Sequence, residues 1–158
     1  MIYIRSIIYT ALMFLSFLIL APIALLPRPI INNERRWQVA KTWATLNIFL
    51  SKKICGLTYK ISGLENSPKQ KCVVFAKHSS VYEIFILLRY FSPSSWVGKY
   101  ELMYLPIFRG VFKKFKLIPV KRGFGSSEVD RVKAEGRERL ESGNWIIIFP
   151  EGTRMPYK

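Results

Sequence analysis

Trp145-Ile146-Ile147-Ile148-Phe149, followed at once by Pro150-Glu151-Gly152-Thr153-Arg154, is the stretch that decides how this chain is read. Five large apolar residues with a β-branched centre form the clearest buried strand in the sequence, of the kind a sheet covers on both faces. The switch to a charged, glycine-containing turn ends that strand sharply. Sheets of the α/β class gather ligands at strand C-terminal ends, so Glu151 and Arg154 stand where a site is expected. Upstream, residues 72–76 (CVVFA), 96–99 and 117–120 read as further short strands, and residues 56–62 (GLTYKIS) alternate like one, with a turn at Asn66-Ser67-Pro68. Between them lie helical stretches. Ser79 or Ser80 caps a helix through Tyr90, a short helix surrounds residues 101–103, and residues 107–116 have helical spacing. Ser126 or Ser127 caps a charged helix through Leu140 that ends near Gly143. Strands alternating with helices argue for an α/β sheet that is at least partly parallel.

The chain of 158 residues holds one such domain plus an anchoring segment, and its 50% hydrophobic content supplies a real core. A formal net charge of +15 implies an anionic partner: nucleic acid, a membrane surface or a phosphorylated substrate. Cys55 and Cys72 make no disulfide framework and are expected to be buried and reduced. With a single histidine they are also too few for a zinc site.

The N-terminus narrows the choice of partner. From Ser6 to Leu26 there are 21 residues without a charge, enough to cross a hydrocarbon layer that needs ~20. A cleaved signal peptide has a shorter apolar run, ~7–15 residues, and fits less well. Pro22 would kink the segment, which leaves a re-entrant or interfacial helix open. Arg28, Arg35, Arg36, Lys41, Lys52 and Lys53 crowd the C-terminal flank while Arg5 stands alone before it. If the helix spans, that asymmetry puts the remainder in the cytoplasm. After Pro27 and Pro29, Asn33 is a plausible N-cap for a second helix with an apolar face and two tryptophans, Trp37 and Trp43. Such a helix suits the headgroup level of a membrane or packs on the domain, and both can hold at once.

His78 is the only histidine. It stands at the end of an apolar run, just before a helix start, where the positive end of the helix dipole keeps the ring neutral and able to accept a proton. Glu83 cannot share a helical face with it, because five residues turn ~500°. The pair works only if His78 lies in the preceding loop and folds back, so that Glu83 holds the ring N–H.

At these residues the chain resembles a known family. Lys77-His78-Ser79-Ser80-Val81-Tyr82-Glu83 is similar to the His-(four residues)-Asp/Glu motif of glycerolipid acyltransferases. Lys99-Tyr100-Glu101-Leu102 with Pro106, then Ile118-Pro119-Val120-Lys121-Arg122, resemble their second block, and Phe149 to Arg154 matches the third nearly letter for letter. The nearest group is the bacterial 1-acyl-sn-glycerol-3-phosphate acyltransferases (PlsC-like). Lys77 and Glu83 replace the Asn and Asp of many members, and Arg109 stands where a glycine often follows. Family members continue through a fourth block often containing Val-Pro, so the resemblance implies a chain truncated after the third.

The resemblance implies an α/β fold: a glycerolipid-acyltransferase-like mixed sheet flanked by helices, with a two-helix membrane motif at 1–54 before an acyltransferase domain at 55–158. It implies acyl transfer from acyl-CoA or acyl carrier protein to the sn-2 hydroxyl of lysophosphatidic acid, giving phosphatidic acid for phospholipid biosynthesis at a bacterial inner membrane. His78 and Glu83 would be the catalytic pair. Lys99, Arg122 and Arg154 would hold the phosphate, and Glu151, Gly152 and Thr153 would shape the turn against the glycerol backbone. A planar guanidinium grips two phosphate oxygens at once. No metal or redox cofactor is expected. Three rival readings stand beside this one: acylation of another lysophospholipid, acylation of a lipid A precursor, or a non-catalytic basic protein that binds membrane or nucleic acid through Lys113, Lys114, Lys116, Lys121 and Arg122. An apolar anchor and an acidic partner for the lone histidine are unnecessary for nucleic-acid binding, which is therefore not expected.

Overall fold

The computed structural model describes residues 2–121 and 125–155. Two compact units divide the chain: one of residues 1–67 and 84–90, the other of residues 68–83 and 91–158.

In the first unit, helix α1 (Ile2–Leu25) and helix α2 (Asn33–Cys55) form an antiparallel hairpin. α1 runs unbroken, with Pro22 in its last turn, and its mean hydropathy of 2.3 over a membrane-length window makes it long and apolar enough to cross a bilayer. Its buried side is small: Ser16, Ala21 and Ala24 face α2, where Ala44, Asn47, Ile48 and Ser51 are buried. Small side chains let two helices approach closely, and polar ones bind them where water is scarce. Ser16 Oγ accepts hydrogen bonds from Trp43 Nε1 (3.2 Å) and Asn47 Nδ2 (3.4 Å) while donating to the Met13 carbonyl (2.8 Å). The outer side of α1 bares Ile4, Ile7, Phe14, Leu18 and Ile19.

The helix cap of α2 is Asn32, one residue before the expected Asn33. Its side chain accepts from the Arg35 N–H at 2.8 Å, and Gly56 ends the helix at φ +71°. Trp43 is half-buried and packs within this unit. It meets Phe17 edge-on at 5.6 Å and the fully buried Phe85 at 5.0 Å, so at this position α2 is a packed helix. Arg36, 3% exposed, reaches back to the end of α1, donating from Nε to the Ala24 carbonyl (2.8 Å) and from a terminal nitrogen to that of Leu26 (3.1 Å). It thereby satisfies carbonyls that every helix C-terminus leaves without a partner.

The second unit is built on four strands: β1 (Val73–Phe75), β2 (Ser94–Lys99), β3 (Ile118–Val120) and β4 (Trp145–Ile148). Their order is β1-β4-β2-β3, and all three ladders are parallel. The sheet expected to be mixed is thus parallel across its described strands. Helix α3 (Tyr82–Tyr90) follows β1; its first two residues belong to this unit and residues 84–90 to the first. Helix α4 (Pro106–Lys114) lies between β2 and β3, and helix α5 (Gly125–Glu141) between β3 and β4. Central β4 buries Trp145, Ile146 and Ile147.

Four local expectations are corrected. Residues 56–62 form no strand, since alternation alone makes none without a ladder partner. The apolar run at 72–76, whose composition is that of a buried sheet strand, gives an edge strand with Val73 and Phe75 exposed, because among the described residues β1 pairs only with β4. Ser126 and Ser127 lie inside the first turn of α5, not ahead of it. Cys55 and Cys72 are free thiols but half-buried, since both sit at the margins of elements.

Candidate active site

Because every described strand points the same way, all four C-terminal ends share one edge of the sheet. In spatial order this edge carries His78 after β1, residues 149–155 after β4, Lys99 at the end of β2 and Lys121 after β3.

His78 stands in the loop before α3, as the pairing with Glu83 requires, and its Nδ1 lies 2.7 Å from Glu83 Oε1. A carboxylate only accepts, so Nδ1 carries a proton, and in the neutral ring the lone pair then lies on Nε2, which makes no hydrogen bond among the described residues. The same oxygen accepts the backbone N–H groups of Ser79 (2.9 Å) and Ser80 (2.9 Å). Glu83 Oε2 accepts the Ser80 N–H (2.9 Å) and the Ser80 hydroxyl (2.6 Å), while Ser80 Oγ accepts the Tyr82 N–H at 3.0 Å. Ser80-Val81-Tyr82-Glu83 is therefore a variant capping box: the glutamate accepts the Ser80 N–H, as in the standard motif, while the serine hydroxyl accepts the Tyr82 N–H. Partial burial pushes Glu83 up. The Ser80 hydroxyl, the Ser80 N–H and the His78 ring outweigh it, and the carboxyl settles below its usual range. Glu83 thus stays ionised and accepts the proton of the facing ring nitrogen.

The third block closes on the same histidine. Phe149 stacks on the His78 ring with centroids 4.3 Å apart and planes at 25°, backed by Trp96 at 5.9 Å. The chain then reverses: the Gly152 N–H donates to the Phe149 carbonyl at 3.0 Å, and Gly152 takes φ +61°, a conformation costly for any side chain. Returning, the Met155 N–H donates to the His78 carbonyl at 2.8 Å. Glu151, Thr153 and Arg154 are exposed along this strap.

The basic residues lie farther along the edge. Lys99 is exposed and in register with Val120. Lys121 places its ammonium 4.5 Å from the Tyr100 ring centroid, and its N–H donates to Glu128 Oε1 at 2.8 Å. Arg122 lies outside the described residues. Arg131 on α5 binds both oxygens of Glu128 (2.7 and 3.0 Å), Glu135 and the Pro119 carbonyl, so α5 holds the end of β3.

Three contributions escaped sequence reasoning: the Phe149 stack, the bond from the Ser80 hydroxyl to Glu83 and the Glu128–Arg131 clamp. The second was readable from the Ser-x-x-Glu spacing, and the third from acid–base spacings of three and four on one helix. The first joins residues 71 apart and has no local signal.

The chain is similar to known proteins along most of its length. The 1-acyl-sn-glycerol-3-phosphate acyltransferase of Pseudomonas aeruginosa is 34% identical over 97% of this chain. A chloroplastic enzyme of the same name from Arabidopsis thaliana is 32% identical over 73% of it. The chain spans 60% of the length of the first and 32% of the second. Its fold matches the crystal structure of the 1-acyl-sn-glycerophosphate acyltransferase PlsC from Thermotoga maritima with a TM-score of 0.68 at 20% identity, over 99% of this chain and 64% of that one. The family model described as Acyltransferase matches residues 58–156, taking in the histidine motif and the third block, and the chain belongs to that family.

Proposed function

We propose that this protein transfers an acyl group from an acyl thioester to the sn-2 hydroxyl of 1-acyl-sn-glycerol-3-phosphate, forming phosphatidic acid. The observation that carries the reading is the His78–Glu83 pair at 2.7 Å, with the opposite ring nitrogen unengaged among the described residues. Nε2 takes the hydroxyl proton as the substrate oxygen attacks the thioester carbonyl, Glu83 stabilises the resulting imidazolium, and the C–S bond breaks as the leaving sulfur takes that proton, restoring the neutral ring. No acyl-enzyme forms, because no nucleophilic side chain is required beside the base. Lys99, Arg122 and Arg154 supply the phosphate charges, and residues 151–153 bear on the glycerol. The likeness to relatives named for this lysolipid supports the substrate, and α1, with its exposed apolar side, supports attachment to a membrane. Acyl-CoA or acyl carrier protein is the donor, and a bacterial inner membrane with the sheet unit on the cytoplasmic side is the location in this reading.

The test is product identity. The purified chain is given lysophosphatidic acid, lysophosphatidylglycerol or a lipid A precursor, each with acyl-CoA or acyl carrier protein, and the products are weighed by mass spectrometry. Phosphatidic acid as the main product supports the reading; preferential acylation of another acceptor overturns the substrate assignment.

A further inference from the structure

Directly after β2, the 3₁₀ turn Tyr100–Tyr104 and helix α4 leave the site-bearing edge and carry a surface that the chemistry above does not use. Tyr104 and Leu105 are 73% and 50% exposed. They are not a loose loop, for the Leu105 N–H donates to the Leu102 carbonyl and its own carbonyl accepts the Arg109 N–H at 2.7 Å. Next to this apolar tip, Arg109, Lys113, Lys114 and Lys116 are all exposed, and none forms an ion pair among the described residues. Glu101 is the single acid between residues 100 and 121.

Water disfavours bare apolar side chains, and like charges crowd at a cost unless an anionic surface faces them. A rigid apolar tip ringed by cations meets both demands at the headgroup level of an anionic bilayer, where apolar groups enter the interface and cations meet lipid phosphates. We propose that Tyr104, Leu105 and the cationic side of α4 form a lip that seats the site-bearing edge on an anionic membrane surface. The inference rests on the proposed lysolipid reading, since a substrate whose reacting hydroxyl lies at headgroup depth needs that edge brought to it. An acidic carrier protein would also meet the cations, but the exposed Tyr104–Leu105 pair favours the bilayer.

Because α1 would hold every variant to vesicles, bulk binding is uninformative. The full chain is instead given Cys55→Ser, Cys72→Ser and Leu105→Cys, and an environment-sensitive fluorophore is attached at position 105. Vesicles containing phosphatidylglycerol should shift the emission blue, and high salt or the triple change Arg109→Gln, Lys113→Gln, Lys114→Gln should reverse the shift. In parallel, Leu105→Ser should raise the apparent KM for lysophosphatidic acid in phosphatidylglycerol vesicles about tenfold and leave detergent-dispersed substrate within about twofold. A water-exposed spectrum on anionic vesicles overturns the lip, as does an equal loss in both assays or a loss confined to acyl carrier protein as donor. Failure of the unaltered chain to acylate lysophosphatidic acid in detergent overturns the lysolipid reading instead, while the fluorescence still judges the lip.

Discussion

The Ser80 hydroxyl donates to Glu83 Oε2 at 2.6 Å, so the carboxylate that orients His78 is also the acid of the α3 capping box. One residue thereby ties helix initiation to the tautomer of the imidazole.

Ser80→Ala removes one donor from that carboxylate and leaves the backbone N–H groups in place. The expected loss in kcat/KM is about tenfold, equivalent to ~1.4 kcal/mol, with Ser80→Thr restoring most of it. The sign of the pH effect follows from the contact removed. The Ser80 hydroxyl helps hold Glu83 below its usual range, so its loss raises the carboxyl, and the acid limb of the pH–rate profile moves to higher pH. An unchanged acid limb in Ser80→Ala would show that the hydroxyl only caps the helix.

Glu128 gives a second pH prediction. The Arg131 hydrogen bonds, then the Lys121 N–H, hold its carboxyl down from 4.5 to about 2. A value lower in the folded state contributes stability that is complete above 4.5 and is lost as pH falls toward about 2. Glu128→Gln should flatten acid unfolding, followed by circular dichroism, within that window. The same variant should raise KM for the phosphate-bearing lysolipid more than it lowers kcat, because Glu128 and Arg131 hold residues 119–121, which lead directly into Arg122. Equal effects on both constants would assign the clamp a structural role alone.

Arg36→Met keeps the aliphatic stem of a 3% exposed side chain and removes its donors to the Ala24 and Leu26 carbonyls. Two helix-terminal carbonyls then lack a partner, at a cost of about 2–3 kcal/mol. Thermal unfolding of the detergent-solubilised chain should start at lower temperature. Arg28→Met, an exposed neighbour, should leave it nearly unchanged.

How far the sequence carries can be judged from particular residues. Trp145 to Ile148 declared itself as a buried strand, because β4 sits between two partners and is covered on both faces. Gly56 to Ser62 alternate without forming a strand, since a period of two describes one face of a strand and says nothing about whether a neighbour exists to pair with it. His78 and Glu83 were legible as a pair because the geometry of a helix start constrains them locally. The Phe149 ring, distant in sequence although β4 pairs directly with β1, was not, and neither was the Met155 N–H that ties the third block to the His78 carbonyl. Nor could charge counting separate Arg131, which is committed to Glu128 and Glu135, from Arg109, Lys113 and Lys114, which form no ion pair among the described residues.

The central claim is that His78 Nε2 is the base for acyl transfer to a lysolipid hydroxyl. It is tested most directly by the rate of phosphatidic acid formation from lysophosphatidic acid and an acyl thioester, measured for the unaltered chain, Glu83→Gln and His78→Ala at equal folded concentration. His78→Ala should fall by about 10³-fold or more, and Glu83→Gln should lie between the two. A His78→Ala rate within about tenfold of the unaltered chain would contradict the mechanism.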